Sequence, residues 1–228
     1  LETIDLAGIP LHASERGEAD PFVLGGGPCT FNPEPYAPFF DVLSLGEGEQ
    51  AVPQTLAAIR SLRRQGASRA QILRELARIP GCYVPLLYRW RDEGEAQRAG
   101  SWIEPLDAGL PVRFEKRLFG GFAKSPGWEP CVVPYTECVH DRLNVEILRG
   151  CARGCRFCQA GMMYRPVRER SAENVVASVM QGLAETGYDE VSLTSLSSTD
   201  HSQIAEILTR LNHACAGKGV RISVPSQR

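Results

Sequence analysis

The feature that most constrains this chain is a knot of cysteines. Cys151, Cys155 and Cys158 fall in one run, Cys-Ala-Arg-Gly-Cys-Arg-Phe-Cys, while the other five stand scattered at 29, 82, 131, 138 and 215. Evenly spread cysteines in a small secreted chain read as a disulfide framework, whereas a trio beside scattered singles reads as reduced thiols with a metal-ligating role. No charged-then-apolar leader opens the sequence, and its apolar runs fall far short of the roughly 20 residues that a membrane helix needs. A soluble, cytoplasmic chain with no membrane partner is therefore expected. The net charge of -2 removes any global attraction to nucleic acid and leaves only a local one open.

Two metal sites compete for the trio. A structural zinc ion wants four ligands, typically two Cys-x2-Cys knuckles or one knuckle with a histidine pair. Only Cys131, Cys138 or His140 stands near enough in sequence to be the fourth, and none repeats a knuckle spacing. An iron-sulfur cubane is usually held by four thiolates, so three on one loop leave one iron open to bind something else, which is a catalytic arrangement. Cys215 reads differently. It shares an apolar helical stripe with Ile204, Ile207, Leu208 and Leu211, where a free cysteine serves as a small core residue, and Cys29 and Cys82 are given structural places too.

Along the chain, Phe22–Leu24 reads as a strand running into Gly25, Gly26 and Gly27, and Val42–Leu45 as a second strand running into Gly46 and Gly48. A helix follows with Val52, Leu56, Ile59 and Leu62 on one face and Pro53 in its first turn. Ser68-Arg-Ala-Gln71 is a capping box that opens another helix, which Pro80-Gly81 stops. Residues 1–80 thus form part of an open α/β sheet, whose ligands bind where such glycine turns leave the strand ends. Between 81 and 140 prolines and isolated aromatics replace periodicity, which reads as an ordered connector with a strand pair. From 141 to 228 the order is strand, helix, strand, helix, strand: Asn144–Leu148, a helix from Ser171 to Gly187, Glu190–Leu196, a helix from Ile204 to Cys215, and Val220–Val224. Right-handed crossovers make such a sheet parallel. The chain begins at Leu1 and stops as its third strand ends, so it is expected to be a piece of a longer protein, cut inside a barrel-like domain.

Cys-x3-Cys-x2-Cys with an aromatic, Phe157, before the last cysteine resembles the signature of radical S-adenosylmethionine (SAM) enzymes. More locally, Glu146 to Gly161 and Tyr164 to Arg170 resemble an uncharacterised bacterial family of radical SAM proteins that bear a cobalamin-binding-type domain; Gly26–Pro35 and Gly46–Glu49 resemble the second half of that domain. The resemblance implies an α/β chain: the C-terminal part of a Rossmann-like cobalamin-binding-type domain over 1–80, the connector over 81–140, and an incomplete radical SAM (β/α) barrel over 141–228. It implies that Cys151, Cys155 and Cys158 hold a 4Fe-4S cluster whose open iron chelates SAM, that Phe157 packs near the adenine, and that the end of the second strand holds the SAM amino group. There the sequence departs from the superfamily's Gly-Gly-Glu run and offers Thr194, Ser195 and Ser197 instead, hydroxyls that can accept from an ammonium or simply cap the next helix. Gly25, Gly26, Gly27, Gly46 and Gly48 become cobalamin-contact candidates. The Asp-x-His-x-x-Gly run that supplies a lower-axial histidine in many relatives is not among these residues.

Six arginines stand between 149 and 170, at 149, 153, 156, 165, 168 and 170, against one carboxylate, Glu169. Three uses fit them: a solvated face, a charge set that steadies the cluster and attracts an acidic electron donor of flavodoxin or ferredoxin type, or an RNA contact as in methylthiolating relatives. The last has little stacking support, since Tyr164 and Phe157 are the aromatics at hand. The expected function is a radical SAM enzyme that cleaves SAM reductively to a 5'-deoxyadenosyl radical and acts on an unknown substrate. Its rivals are a non-catalytic zinc or iron-sulfur module and an RNA-modifying methylthiotransferase-like enzyme.

Overall fold

A buried aspartate organises the start of the chain. Asp41 accepts from Arg16 Nη1 (2.9 Å) and Arg69 Nη2 (2.7 Å), and its Oδ2 also takes the Val23 N–H (2.7 Å). Three segments far apart in sequence are tied to one carboxylate. The computed structural model describes residues 1–91, 102–127, 132–136 and 138–227, and within them the chain divides into two compact units, Leu1–Phe119 and Gly120–Arg228. The architecture is mixed α/β.

The first unit opens with α1 (Glu2–Leu6), then β1 (Leu24–Gly25), β2 (Val42–Ser44), α2 (Gly48–Arg64), α3 (Arg69–Leu76) and β3 (Cys82–Tyr83). β1 and β2 are parallel, with Leu24 opposite Val42, and β3 runs antiparallel to β2. The strand expected over Phe22–Leu24 starts later because Val23 spends its N–H on Asp41 and its carbonyl on the N–H groups of Asp41 and Val42. The capping box is present: Ser68 Oγ accepts from Gln71 N, Gln71 accepts from Ser68 N, and Ile72, Leu73 and Leu76 are buried. The face expected for α2 is corrected. Ala51 and Thr55 are its buried residues, with Ala58, Ile59 and Leu62 packed beside the core, while Val52 and Leu56 are exposed. The buried stripe lies one position earlier because small side chains let α2 approach β2, and a core of Val42, Leu43, Tyr83 and Tyr88 fills the space beneath. β4 (Tyr88–Arg91) and β5 (Trp102–Pro105) form an antiparallel pair, the strand pair anticipated in the connector.

The second unit contains β6 (Leu143–Glu146), β7 (Leu148–Arg149), α4 (Ala160–Met163), β8 (Arg168–Glu169), α5 (Ala172–Thr186), β9 (Glu190–Thr194), α6 (Ile204–Ala214) and β10 (Arg221–Ser223). Among the described residues the sheet order is β10-β9-β6, and both pairings are parallel, as the alternation of strand and helix requires. α5 is bounded by its own residues: Ser171 Oγ caps the Asn174 N–H (3.2 Å), and Gly187 ends it in the left-handed region. Val145, Ile147, Val175, Val179, Val191, Leu193, Ile207 and Leu211 make the core between helices and sheet. No helix among the described residues is long and apolar enough to cross a membrane.

Candidate functional site

The cysteine loop leaves the carboxyl end of β6 by way of a short hairpin, in which β7 pairs with β8 through Leu148 opposite Glu169 and Arg149 opposite Arg168. Between those two strands lie all three cysteines and α4. Gly150 makes the exit feasible: its φ is +92°, and a Cβ there would sit 2.7 Å from the carbonyl oxygens of both Tyr164 and Pro166. Only glycine lets the outgoing and returning backbones approach this closely. Within the loop, the Cys158 N–H closes a turn onto the Cys155 carbonyl (3.0 Å).

Cys151, Cys155 and Cys158 are in no disulfide and are of intermediate exposure. They share the loop, yet among the described residues no group of three or more His, Cys, Asp or Glu is arranged to hold a metal ion. In kind and access the donor set fits an iron-sulfur cluster: three soft thiols within one loop at the carboxyl rim of a parallel sheet. Cys138 and Cys29 are exposed and Cys82 and Cys215 buried; Cys131 lies outside the described residues. Phe157 projects into solvent, 89% exposed.

At the end of β9 the chain makes a hydroxyl-rich turn. Ser195 Oγ accepts the Ser197 N–H (3.1 Å) and bonds Ser198 Oγ (2.9 Å), Ser198 Oγ is also bonded to the Leu193 carbonyl (2.9 Å), and Ser197 Oγ donates to Asp200 Oδ2 (2.7 Å). Thr194 and Ser195 are half-buried at the rim, whereas Ser197 and Ser198 are buried. A carboxylate, Asp200, closes this turn. It reaches the cysteine loop directly: Arg153 Nε donates to Asp200 Oδ2 (2.7 Å), and Arg153 Nη2 donates to Oδ1. The sequence alone does not point to it, since only the fold brings Asp200 to a loop 47 positions away. The hydrogen bond to Asp200 and then its charge hold the Arg153 guanidinium more firmly protonated, with the Cys151 and Cys155 thiols adding in the same sense.

The other arginines of the basic run are partly absorbed into structure. Arg149 forks onto the Glu146 carboxylate (3.0 and 2.8 Å). Arg170 is buried, donating to the carbonyls of Glu146 (2.9 Å) and Phe122 (2.7 Å). Buried His201 ties the same segment down, its Nε2 bonded to the Arg170 carbonyl (2.8 Å) while Nδ1 accepts from the Gln203 N–H (3.0 Å).

In the first unit, the glycine turns line a cavity of about 350 Å³ at the carboxyl ends of β1 and β2, with Gly25, Gly26, Gly27, Gly46 and Gly48 joined by Val52 and Thr55 of α2. Ser44, also in its wall, has a buried Oγ with no hydrogen-bond partner. Gly46 has a structural reason of its own, because a Cβ there would meet the Arg117 carbonyl oxygen at 2.3 Å.

Compared with known proteins, residues 1–85 match the model described as radical SAM proteins, N-terminal, and residues 145–228 match that of the radical SAM superfamily. Radical SAM superfamily domains, N-terminal and core, are thus found in the chain. An uncharacterized protein of Methanocaldococcus jannaschii is 34% identical over 84 residues, which is 37% of this chain and 18% of that protein. The chain therefore spans less than a fifth of the length of this curated relative.

Proposed function

We propose that this chain carries the cluster-binding part of a radical SAM enzyme, with Cys151, Cys155 and Cys158 as the three thiolate ligands of a 4Fe-4S cluster and SAM as the molecule at its open iron. One observation supports this most: three partly exposed cysteines, none in a disulfide, on the loop that follows the first strand of a parallel sheet, inside the segment matching the superfamily. When bound, the cluster supplies the electron for reductive cleavage of SAM to a 5'-deoxyadenosyl radical. The chain's own residues do the rest. Gly150 lets the loop turn back on itself, and exposed Phe157 is free to lie against an adenine. Thr194, Ser195 and Ser197 of the turn after β9 would hold the SAM ammonium; a hydroxyl that donates to a neighbour keeps lone pairs with which to accept. Thr194 and Ser195, at the rim, are better placed for this than buried Ser197. Arg156 and Arg165 add positive charge suited to an acidic electron donor of flavodoxin or ferredoxin type.

A cobalamin-type role for the first unit rests on the glycine-lined cavity and its unpartnered Ser44 hydroxyl. At about 350 Å³ it lies at the small end of ligand pockets, so it would receive an appended ring of such a cofactor and not the whole of it.

Anaerobic reconstitution with iron and sulfide tests the main reading. About four irons and four sulfides per chain are expected, with a visible spectrum that changes when SAM is added. Cys155→Ala should lose the iron and Cys215→Ala keep it. One zinc per chain in tetrahedral thiolate coordination, or equal iron loss in the two variants, would overturn the assignment in favour of a structural module. Cobalamin retained by the wild type and weakened by Gly26→Val would support the second role, and no retention would end it.

A further inference from the structure

The middle of the cysteine loop is fastened to a different part of the unit. Arg153 lies two residues from Cys151 and two from Cys155, inside the three-residue spacer, and its guanidinium forks onto Asp200, 47 positions farther along. A planar guanidinium meeting both oxygens of one carboxylate fixes orientation as well as distance, which a lysine ammonium does not. Asp200 is itself positioned. Its Oδ2 takes the Ser197 hydroxyl (2.7 Å), its N–H closes a turn onto the Ser197 carbonyl (3.1 Å), and the Ser198 N–H next to it is held by the Ser226 carbonyl (3.1 Å). The carboxylate is thus mounted on a turn braced from β9 and from the segment after β10. The loop it grips has the opposite character: glycines at 150 and 154 in the left-handed region, and partly exposed thiols.

We propose that Asp200 is a positioning residue for the cysteine loop: through the Arg153 fork it holds the Cys151–Cys155 spacer against the turn after β9, so that the thiols are ordered before any metal arrives. Its importance for cluster assembly rests on the radical SAM reading above, while the fork's effect on the loop can be measured without a cluster. The side chain of Arg153 is about half exposed and that of Asp200 about a quarter. Such a pair is open to salt and modest in strength.

The test is thiol labelling of the metal-free, fully reduced chain with iodoacetamide, read peptide by peptide. Asp200→Asn should raise the alkylation rates of Cys151 and Cys155 by about two- to fivefold, the range that an exposed ion pair can hold. Buried Cys215 should not change. Asp200→Glu should restore much of the protection, and raising salt from about 0.15 to 1 M, which shortens the screening length to about 3 Å, should speed the wild type toward Asp200→Asn while leaving Asp200→Asn itself unmoved. Arg153→Lys keeps the charge beside the thiols but loses the fork, and should behave like Asp200→Asn. If Asp200→Asn also exposes Cys215, the turn has unfolded and Arg153→Lys together with the salt series decides. Unchanged Cys151 and Cys155 rates in Arg153→Lys with no salt response would overturn the proposal. Iron content after reconstitution is read separately: failure of the wild type to bind iron would end the radical SAM reading while leaving the labelling result intact. Slower iron uptake in Asp200→Asn than in the wild type is the outcome that joins the two.

Discussion

Arg170 holds Phe122 twice. Its Nη1 donates to the Phe122 carbonyl at 2.7 Å, and its guanidinium carbon lies 4.2 Å from the centre of the same residue's ring. The same Nη1 also reaches the Ser125 carbonyl and hydroxyl, and Nε donates to the Glu146 carbonyl, so oxygen dipoles and a ring face stabilise the buried cation. The Arg149 guanidinium carbon also lies over this ring, 4.6 Å from its centre.

Removing that hub takes a charged donor from three carbonyls, of which Phe122's keeps the Ser125 hydroxyl (3.1 Å) and Ser125's keeps the Asn174 amide (3.1 Å). Arg170→Met should destabilise the second unit by about 2 to 4 kcal/mol, and Arg170→Lys, with fewer donors in the wrong geometry, by about 1 to 3 kcal/mol. Urea unfolding followed by far-ultraviolet circular dichroism measures both. A loss under about 0.5 kcal/mol for Arg170→Met, as for an ordinary surface site, would contradict the hub.

Two glycines with positive φ should respond very differently to alanine. Gly187 ends α5 at +75° with open space around the missing Cβ, so Gly187→Ala should cost only about 1 kcal/mol of backbone strain. Gly150, at +92°, would drive its Cβ to 2.7 Å from two backbone oxygens that have no flexible end to move. Gly150→Ala should therefore displace the cysteine loop, cost about 2 kcal/mol or more, and alter alkylation of all three loop thiols. Equal shifts in thermal midpoint for the two variants would show that the close approach at Gly150 is not real.

Asp41 offers a test in the first unit. With both arginines buried around it, Asp41→Asn leaves two cations facing a neutral amide, and the expected loss is about 3 to 5 kcal/mol. Replacing Arg16 and Asp41 together should cost less than the sum of the single changes, because the second deletion removes a charge already stranded. A strictly additive double variant in denaturant titrations would mean that the three groups are not coupled.

The parts legible in the sequence were the local ones. The capping box at Ser68, the Ser171 cap and the Gly187 stop each depend on residues within a turn of one another, and the alternation in 141–228 fits a parallel sheet directly. Long-range polar partners were not legible. Nothing near Arg153 in sequence points to Asp200, and nothing near Arg170 points to Phe122, because a guanidinium's partner is chosen by the fold. The face of α2 was misjudged for a related reason: periodicity favours Val52 and Leu56, but close approach to β2 selects the smaller Ala51 and Thr55. The cysteine trio is plain from spacing alone, while the hairpin that carries it, closed by the tight approach at Gly150, is not.

Alkaline pH should weaken the first unit through its buried phenols. Burial pushes the Tyr88 hydroxyl up to about 12, and burial followed by the hydrogen bond to Glu34 pushes Tyr83 higher still. In the unfolded chain both ionise near the usual value of 10.0. A pKa raised by folding means that the native state holds its proton more tightly, so the associated stability is complete below about pH 10 and is lost as the unfolded phenol ionises above it. For Tyr88 the loss runs from about pH 10 to 12 and amounts to at most about 3 kcal/mol. Tyr88→Phe removes this titration and also the bond to the Pro111 carbonyl (3.0 Å), so it should start about 1 kcal/mol lower at pH 8 and then fall less steeply. Denaturant midpoints of wild type and Tyr88→Phe, measured every half unit from pH 8 to 12, should therefore converge and then cross at about pH 11. Parallel lines across that window would show that Tyr88 ionises as readily folded as unfolded.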